Sequence, residues 1–402
     1  SGTLIESAML SGFLSYGANV KLLGVIPTPA VAYLTRKLNA DASVVISASH
    51  NTYEFNGIKY FSNKGMKIPD ALEEEIEEVM ESGKLDELKA VNDKIGVSEY
   101  CLDLIDEYVY FFRKNFDDNI EKYLRDDFIV GLDTANGATS VVAQKVFKAL
   151  GIKYKIINNN PNGININENC GSTHLEGLKK FVKENKLSLG VAYDGDGDRC
   201  LAVDENGNEI DGDKLLAIIS NTLRKKGKLN KDTIVATVMS NLGLNKYAKN
   251  NGLNLIQTKV GDRYVLEEML KNGYNLGGEQ SGHVILLDYN PTGDGILTSL
   301  MLIQSILEEN KKASELAETI KLYPQVLINA KVDANKKYDY EKDEEIKLAI
   351  ENLQKEFAGN GRVLIRPSGT EPLVRVMIEG EDQQYITKKA GEVAALIEKK
   401  LK

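Results

Sequence analysis

Short apolar, β-branched runs alternate with stretches of helical period along most of this 402-residue chain, and few folds accommodate that alternation. It is the pattern of βαβ units built around largely parallel sheets. Ala71 to Ser82 is of the helical kind: Leu72, Ile76, Val79 and Met80 fall at i, i+4, i+7 and i+8, and Gly83 supplies a C′ stop. Phe128 to Leu132, the loop Asp133-Thr134-Ala135-Asn136-Gly137 and Val141 to Leu150 read as strand, loop and helix. A third unit runs through strands at Thr233 to Met239, Leu255 to Thr258 and Val284 to Leu287, and closes on the apolar helix Ile296 to Leu307.

The last stretch departs from this pattern. Strands at Gln325 to Val332, Val363 to Ile365 and Val374 to Ile378 are interrupted by one long helix, on which Ile346, Ile350, Leu353 and Phe357 share a face and which Gly359 ends. That describes a small α+β domain with an antiparallel sheet. Charged or glycine-rich connectors place soft boundaries near 105, 206 and 320, hence domains 1–105, 106–206, 207–320 and 321–402. The expected fold class is α/β: three similar α/β mixed-sheet domains plus a smaller C-terminal α+β domain.

Hydrophobic content of 42% with 27% charged residues suits a soluble globular protein. A formal charge of −9 argues against nucleic acid or an anionic membrane surface as partner. No apolar run approaches the ~18 residues that span a bilayer. Ser1-Gly2-Thr3 begins no charged region followed by an apolar core, so a cytoplasmic location is expected. Cys101, Cys170 and Cys200 are too few for a disulfide framework and lack the C-x₂-C spacing of a zinc site. An anionic small substrate requires positive charge gathered in one cleft, and Arg366, Arg375, Arg199 and Lys59, all in or beside glycine-bearing loops, are the candidates.

Ser47-Ala48-Ser49-His50-Asn51 follows the apolar run Val44, Val45, Ile46 and opens onto Asn56-Gly57-Ile58-Lys59, so it presents a hydroxyl at a strand mouth beside an imidazole. A serine hydroxyl is a weak nucleophile unless assisted, and a phosphoryl group in flight needs cations and aimed N–H groups. The same string also suits a plain turn or helix cap. Asp194-Gly195-Asp196-Gly197-Asp198-Arg199 leaves the strand Leu189 to Tyr193 with three carboxylates on one tight turn, the hard oxygen ligands that Mg²⁺ prefers. Asp194, Asp196, Asp198 and Glu205 match positions 1, 3, 5 and 12 of a calcium EF-hand. Arg199 stands where that motif needs glycine, however, and strands stand where it needs helices.

Two further loops carry chemistry. Gly277-Gly278-Glu279-Gln280-Ser281-Gly282-His283 offers a carboxylate and a hydroxyl suited to vicinal sugar hydroxyls, or makes a structural turn. Arg366-Pro367-Ser368-Gly369-Thr370-Glu371-Pro372 combines a guanidinium, two hydroxyls and free backbone N–H groups, the means of holding a phosphate monoester. His50, His174 and His283 all lie in glycine- or serine-bearing loops away from apolar faces, which suits acid/base or hydrogen-bonding work rather than metal ligation.

These four loops, in this order, resemble the α-D-phosphohexomutase family. The likeness extends to Ile26-Pro27-Thr28-Pro29, Asn165-Ile166-Asn167 running to Cys170-Gly171-Ser172-Thr173-His174, Met239-Ser240-Asn241 and Val260-Gly261-Asp262-Arg263, and covers essentially the whole chain. It implies an active site in a central cleft, with Ser49 as a phosphoserine and His50, Lys59 and Arg199 as catalytic partners. Mg²⁺ would be held by Asp194, Asp196, Asp198 and the phosphoryl oxygen on Ser49. Thr258, Gly261, Asp262, Glu279 and Ser281 would bind the sugar. Arg366, Ser368, Gly369, Thr370 and Arg375 would hold the phosphate that is not reacting.

The implied reaction interconverts glucosamine 6-phosphate and glucosamine 1-phosphate, primed by glucosamine 1,6-bisphosphate or glucose 1,6-bisphosphate, and supplies UDP-N-acetylglucosamine for cell-wall synthesis. The Cys170 to His174 string points to the amino sugar, with a glucose or mannose mutase as the alternative. A metal-dependent sugar phosphatase and a non-catalytic sugar-phosphate or calcium binder are the rival classes. A homodimer is allowed. Family members begin with a further strand and helix, so a polypeptide truncated inside domain 1 is the expectation.

Overall fold

The computed structural model describes residues 1–83, 85, 88–368 and 371–402. They form two compact units, one of Ser1–Met239 with Gly252–Thr319 and one of Ser240–Asn251 with Ile320–Lys402.

The first unit opens with α1 (Gly2–Ser15), β1 (Val20–Leu22), α2 (Thr28–Lys37), β2 (Ala42–Ile46), β3 (Ile58–Ser62), α3 (Asp70–Glu81) and β4 (Ser98–Tyr100). β1 and β4 pair in parallel, while β2 and β3 form an antiparallel pair that sets Val45 opposite Lys59. α2 carries Pro29 in its first turn, where the missing N–H costs nothing, and buries Ala30, Val31 and Leu34. α3 matches the expected helix, and Gly83 follows it at φ +68°. Its apolar stripe buries no residue, so the periodicity located a helix without locating a partner for its face.

α4 (Ile105–Glu121) carries an aromatic seam, with Tyr108, Phe112 and Phe116 buried and the Tyr108 and Phe112 rings 4.8 Å apart edge to face. The chain then builds β5 (Ile129–Asp133), α5 (Thr139–Ala149), β6 (Lys153–Ile157), α6 (Glu176–Asn185), β7 (Leu189–Tyr193), β8 (Cys200–Asp204) and β9 (Glu209–Ile210). Their sheet has the order β6-β5-β7-β8-β9, parallel through β7 and antiparallel beyond it. Every residue of β7 and β8 is buried, which explains their near-continuous apolar runs.

α7 (Gly212–Lys225), β10 (Thr233–Thr237), α8 (Leu242–Asn250), β11 (Asn254–Thr258), α9 (Asp262–Asn272), β12 (Leu276–Gly278), β13 (Val284–Leu286), α10 (Gly295–Glu309) and α11 (Ala313–Ala317) follow, α8 belonging to the second unit. The sheet β11-β10-β12-β13 is parallel except for its last pair. α10 is buried on all sides from Gly295 to Leu307, so it is mostly apolar, and its buried hydroxyls Thr298, Ser299 and Ser305 donate to main-chain carbonyls one turn back. Its N-cap, Asp294, accepts the Leu297 N–H at 3.0 Å and the Tyr108 hydroxyl at 2.6 Å, so α4 and α10 are locked together.

The second unit adds β14 (Gln325–Lys331), α12 (Glu344–Glu356), β15 (Arg362–Pro367), β16 (Leu373–Glu379) and α13 (Gln383–Leu401), with the antiparallel order β14-β16-β15. One helix was expected here and two long ones cover the sheet. Ile386, Ala390, Val393, Ala394, Ile397 and Leu401 of α13 pack with Ile346 and Leu353 of α12 on Val374, Val376 and Ile378. The α13 seam was less visible because alanines fill part of it and lysines flank it.

Candidate active site

β2 and β7 each release a loop at their C-terminal ends, where open α/β sheets place their ligands. The first loop bends sharply: Ser49 has φ +56°, and its N–H is held by Ser47 Oγ at 2.9 Å. The turn caps no helix among the described residues. Ser49 Oγ donates instead to Asp194 Oδ2 at 2.9 Å, across 145 residues of sequence.

The ligand oxygens of Asp194, Asp196 and Asp198 all lie within 4.8 Å of one another, and the three residues are at most 4% exposed. Glycine makes this turn possible. Gly197 sits at φ +72°, where a Cβ would approach Thr139 to 2.6 Å, and a Cβ on Gly195 would come within 2.7 Å of the Ser49 carbonyl oxygen. Asp196 Oδ2 receives the Thr28 hydroxyl and the Lys59 ammonium, each at 2.5 Å, while Oδ1 of Asp196 and Oδ1 of Asp198 are buried without a partner.

The charges in this cluster pull against each other. Burial, then Asp198 and Asp196, push the Asp194 carboxyl far above its ordinary range. Burial acts the same way on Asp198, but His283, Lys59 and Arg199 outweigh it and hold that carboxyl below the usual range. Lys59 stays firmly protonated: burial opposes its charge, and Asp196 and Asp198 overcome the burial. Three buried carboxylates, two of whose oxygens have no hydrogen-bond partner, make an acidic pocket whose donor set fits a hard divalent cation. The EF-hand alternative falls away, since β7 and β8 flank the loop and Glu205 is engaged with the N–H and hydroxyl of Ser314.

His50 is half-buried, and burial followed by the Arg199 charge lowers its pKa. Arg199 donates its main-chain N–H to Asp194 Oδ1 at 3.1 Å and holds Nε 4.0 Å from Asp198 Oδ1. His283, expected in a loop away from apolar surroundings, is 3% exposed: β13 begins immediately after it and draws it inside. The Gly293 N–H points at its Nε2 at 3.0 Å, which leaves Nδ1 to face Asp198 Oδ2 at 3.6 Å.

Beyond His283 the polar row continues to the candidate sugar loop. Asp262 Oδ2 stands 3.5 Å from His283 Nε2 and accepts from Lys67 Nζ at 2.6 Å. Glu279 Oε1 accepts the Gly261 N–H at 3.2 Å, with Gly261 at φ +129° opening α9. Ser281 Oγ is buried without a partner, and Thr258 Oγ1 turns to its neighbour's carbonyl, Lys259 O, at 2.9 Å. The first unit therefore gathers Ser49, His50, Lys59, Asp194, Asp196, Asp198, Arg199, Asp262, Glu279 and Gly261 through direct contacts or shared charge. Thr28, Lys67 and Asn167 join them and were not among the site candidates, and His283, singled out only for acid/base or hydrogen-bonding work, joins through Asp198 and Asp262. Thr28 lies in a proline-bounded string whose polar member was a usable signal, whereas Lys67 carries no local signal.

In the second unit, β15 and β16 set Arg366 opposite Arg375. Ser368 is 2% exposed; its Oγ lies 3.4 Å from Arg375 Nη2, and its carbonyl accepts Lys337 Nζ at 2.7 Å. Burial, then the Arg375 charge, lowers the Arg366 pKa. Gly369 and Thr370 lie outside the described residues.

Four family models match the chain in order. They are phosphoglucomutase/phosphomannomutase α/β/α domain I over residues 1–87, domain II over 106–207, domain III over 211–323 and the C-terminal domain over 327–396. A phosphoglucosamine mutase of Ruminiclostridium cellulolyticum is 54% identical over 401 residues, spanning 100% of this chain and 88% of the relative. The chain belongs to the α-D-phosphohexomutase family.

A phosphoglucosamine mutase of Acetivibrio thermocellus is 53% identical, again over 100% of this chain and 88% of its own length. Among solved structures, a phosphoglucomutase/phosphomannomutase family protein from Burkholderia thailandensis superposes with a TM-score of 0.75 at 21% identity, covering 97% of this chain and 86% of that one. Aspergillus fumigatus N-acetylphosphoglucosamine mutase, solved with GlcNAc-6P and magnesium, superposes with a TM-score of 0.66 at 18% identity, covering 92% of each chain. These structures share the phosphohexomutase fold of three α/β/α domains and a C-terminal domain. As a phosphohexomutase, the chain is an isomerase that acts as an intramolecular phosphotransferase. No helix of the described residues is long and apolar enough to cross a membrane.

Proposed function

We propose that this enzyme interconverts glucosamine 6-phosphate and glucosamine 1-phosphate by way of a phosphorylated Ser49. The contact of Ser49 Oγ with Asp194 inside the carboxylate cluster carries this reading. The names of the relatives at 54% and 53% identity favour glucosamine over glucose or mannose.

In the forward direction the 1-hydroxyl of glucosamine 6-phosphate attacks the phosphorus on Ser49. The Oγ–P bond breaks, a bond from the sugar 1-oxygen to phosphorus forms, and the hydroxyl proton ends on Ser49 Oγ. The 1,6-bisphosphate turns end for end. Ser49 Oγ then attacks the 6-phosphorus, the bond from the sugar 6-oxygen to phosphorus breaks, the serine proton passes to that 6-oxygen, and glucosamine 1-phosphate leaves. His50, whose pKa burial and then the Arg199 charge lower, relays the proton beside Ser49. Lys59 and Arg199 offset the anionic charge of the phosphoryl group.

Asp194, Asp196, Asp198 and the phosphoryl oxygen on Ser49 would hold Mg²⁺, which when bound supplies charge neutralisation to the group in transfer. Glu279 and Ser281, with Thr258, Gly261 and Asp262, form the sugar-binding loops. Arg366, Ser368, Gly369, Thr370 and Arg375 receive the distal phosphate, which two facing guanidinium groups suit. We further divide the chain into functional domains 1–105, 106–206, 207–320 and 321–402, and place the enzyme in the cytoplasm.

Phosphorus NMR of glucosamine 6-phosphate with enzyme, Mg²⁺ and a trace of glucose 1,6-bisphosphate tests the reading. Glucosamine 1-phosphate should accumulate to equilibrium without inorganic phosphate, and Ser49 should gain one phosphoryl mass. Net release of phosphate would establish a phosphatase instead.

A further inference from the structure

Asn167 reaches the Ser49 turn from a separate part of the chain. It is 1% exposed, and both protons of its amide are spent on that turn: Nδ2 donates to the carbonyl of Ser49 at 2.9 Å and to the carbonyl of Asn51 at 2.8 Å. Its Oδ1 is buried with no partner, so the bonding of the amide goes into gripping these two carbonyls.

The grip has a rigid base. Asn167 itself adopts φ +58°, a left-handed conformation that asparagine tolerates better than most residues, and its main-chain N–H is anchored on Ala135 O at 2.9 Å. The β5 loop below is pinned in turn, since the Asp133 carboxylate accepts the Ala135 and Gly171 N–H groups, each at 3.0 Å. Gly195 completes the interlock: a Cβ there would stand 2.7 Å from both Asn167 Nδ2 and Ser49 O. The amide is thus wedged between the turn that carries the hydroxyl and the loop that carries the carboxylates.

We propose that Asn167 is a positioning residue for phosphoryl transfer, clamping the Ser49 turn against the Asp194–Asp198 loop so that the hydroxyl keeps one direction. A serine at φ +56° occupies a sparsely populated backbone region and holds it only where its surroundings enforce it. The clamp acts through main-chain carbonyls and leaves the hydroxyl free to react. The proposal rests on the reading of Ser49 as the phosphoryl carrier.

Asn167→Asp keeps the shape and the left-handed tolerance while replacing both donors with acceptors; Asn167→Gly keeps the backbone and deletes the amide. Each is incubated with glucose 1,6-bisphosphate. Single-turnover transfer to Ser49 is followed by intact mass and peptide mapping, normalised to the folded fraction from circular dichroism, and kcat and KM are measured alongside. Both variants should transfer about 10- to 100-fold more slowly, with kcat falling in step and KM nearly unchanged, as expected for a misdirected nucleophile. Wild-type transfer rates per folded molecule in either variant, or a change confined to KM, would overturn the clamp. A wild-type chain that never gains mass at Ser49 would instead overturn the carrier reading, and the clamp with it.

Discussion

Arg366 and Arg375 face each other as paired residues of adjacent antiparallel strands, two permanent positive charges on one face of the sheet. Directly opposed like charges destabilise a strand pair, and Glu371, 3.2 Å from Arg375, is the anion at hand on the surface. A bound phosphate dianion would relieve the repulsion and accept from both guanidinium groups.

Replacing either arginine with methionine should therefore raise the KM for glucosamine 6-phosphate by about 10- to 100-fold, the loss of one charged hydrogen-bonding partner. The melting temperature of the ligand-free protein should hold steady or rise, because repulsion is removed. Steady-state kinetics and calorimetry read the two effects. Unchanged KM in both variants would remove these arginines from the substrate site.

The carboxylate cluster predicts a metal-dependent stability. Protein stripped with EDTA should gain about 2.7 kcal/mol when Mg²⁺ is added to a hundred times its dissociation constant. Asp194→Asn deletes the carboxylate most strained by burial and by its neighbours. The variant should be at least as stable as the stripped wild type and should lose most of the response to Mg²⁺. A wild-type melting curve indifferent to divalent cations would rule out the site.

Gly195→Ala places a methyl group 2.7 Å from the Ser49 carbonyl oxygen and from Asn167 Nδ2. The backbone of Gly195 is not left-handed, so the cost is steric and falls on the Ser49 turn rather than on the residue itself. Overpacking of this kind costs about 1 to 3 kcal/mol, and kcat should fall by at least tenfold. A crystal structure of the variant should show the Ser49 turn displaced. Full activity would mean that the turn adapts freely.

Arg362 and Glu379 make a pH-dependent strut within the second unit. Glu379 is fully buried; it accepts Arg362 Nε at 2.6 Å and the Leu242 N–H at 3.2 Å, while Arg362 also reaches Ser240 O at 2.7 Å. Burial already lifts the glutamate above its ordinary range, with Arg362 pulling it back. Arg362→Met removes that pull and should cost about 3 to 5 kcal/mol at pH 7.5. A raised folded-state pKa means that the native state binds the proton more tightly than the unfolded chain. The deficit is therefore full above that raised pKa and shrinks as pH falls through it toward the ordinary glutamate range. Urea melts at pH 7.5 and pH 5 should differ in that direction, and a pH-independent deficit would refute the assignment.

Much of the fold was legible locally. The 3.6-residue period of Leu72, Ile76, Val79 and Met80 found α3, and largely apolar runs found β5, β7 and β10, because a strand buried on both faces has few polar positions to show. Where apolar contrast weakened, as along the alanine- and lysine-bearing α13, the reading failed. It also failed on partners: α3 has a clear apolar stripe that buries no residue, and His283, read as lying in a loop away from apolar faces, is drawn inside by the strand that follows.

The sequence by itself determined which groups this protein has to work with. A hydroxyl on a strand-end turn, three carboxylates spaced by glycines and arginines in a proline-bounded loop are local facts of composition and backbone geometry. Only the tertiary structure decided that Ser49 meets Asp194, that Thr28 and Lys59 share one oxygen of Asp196, and that the Asn167 amide holds the Ser49 turn. Those contacts join residues more than a hundred positions apart. Their geometry is set by how whole sheets and helices pack, and no short stretch of chain carries that information.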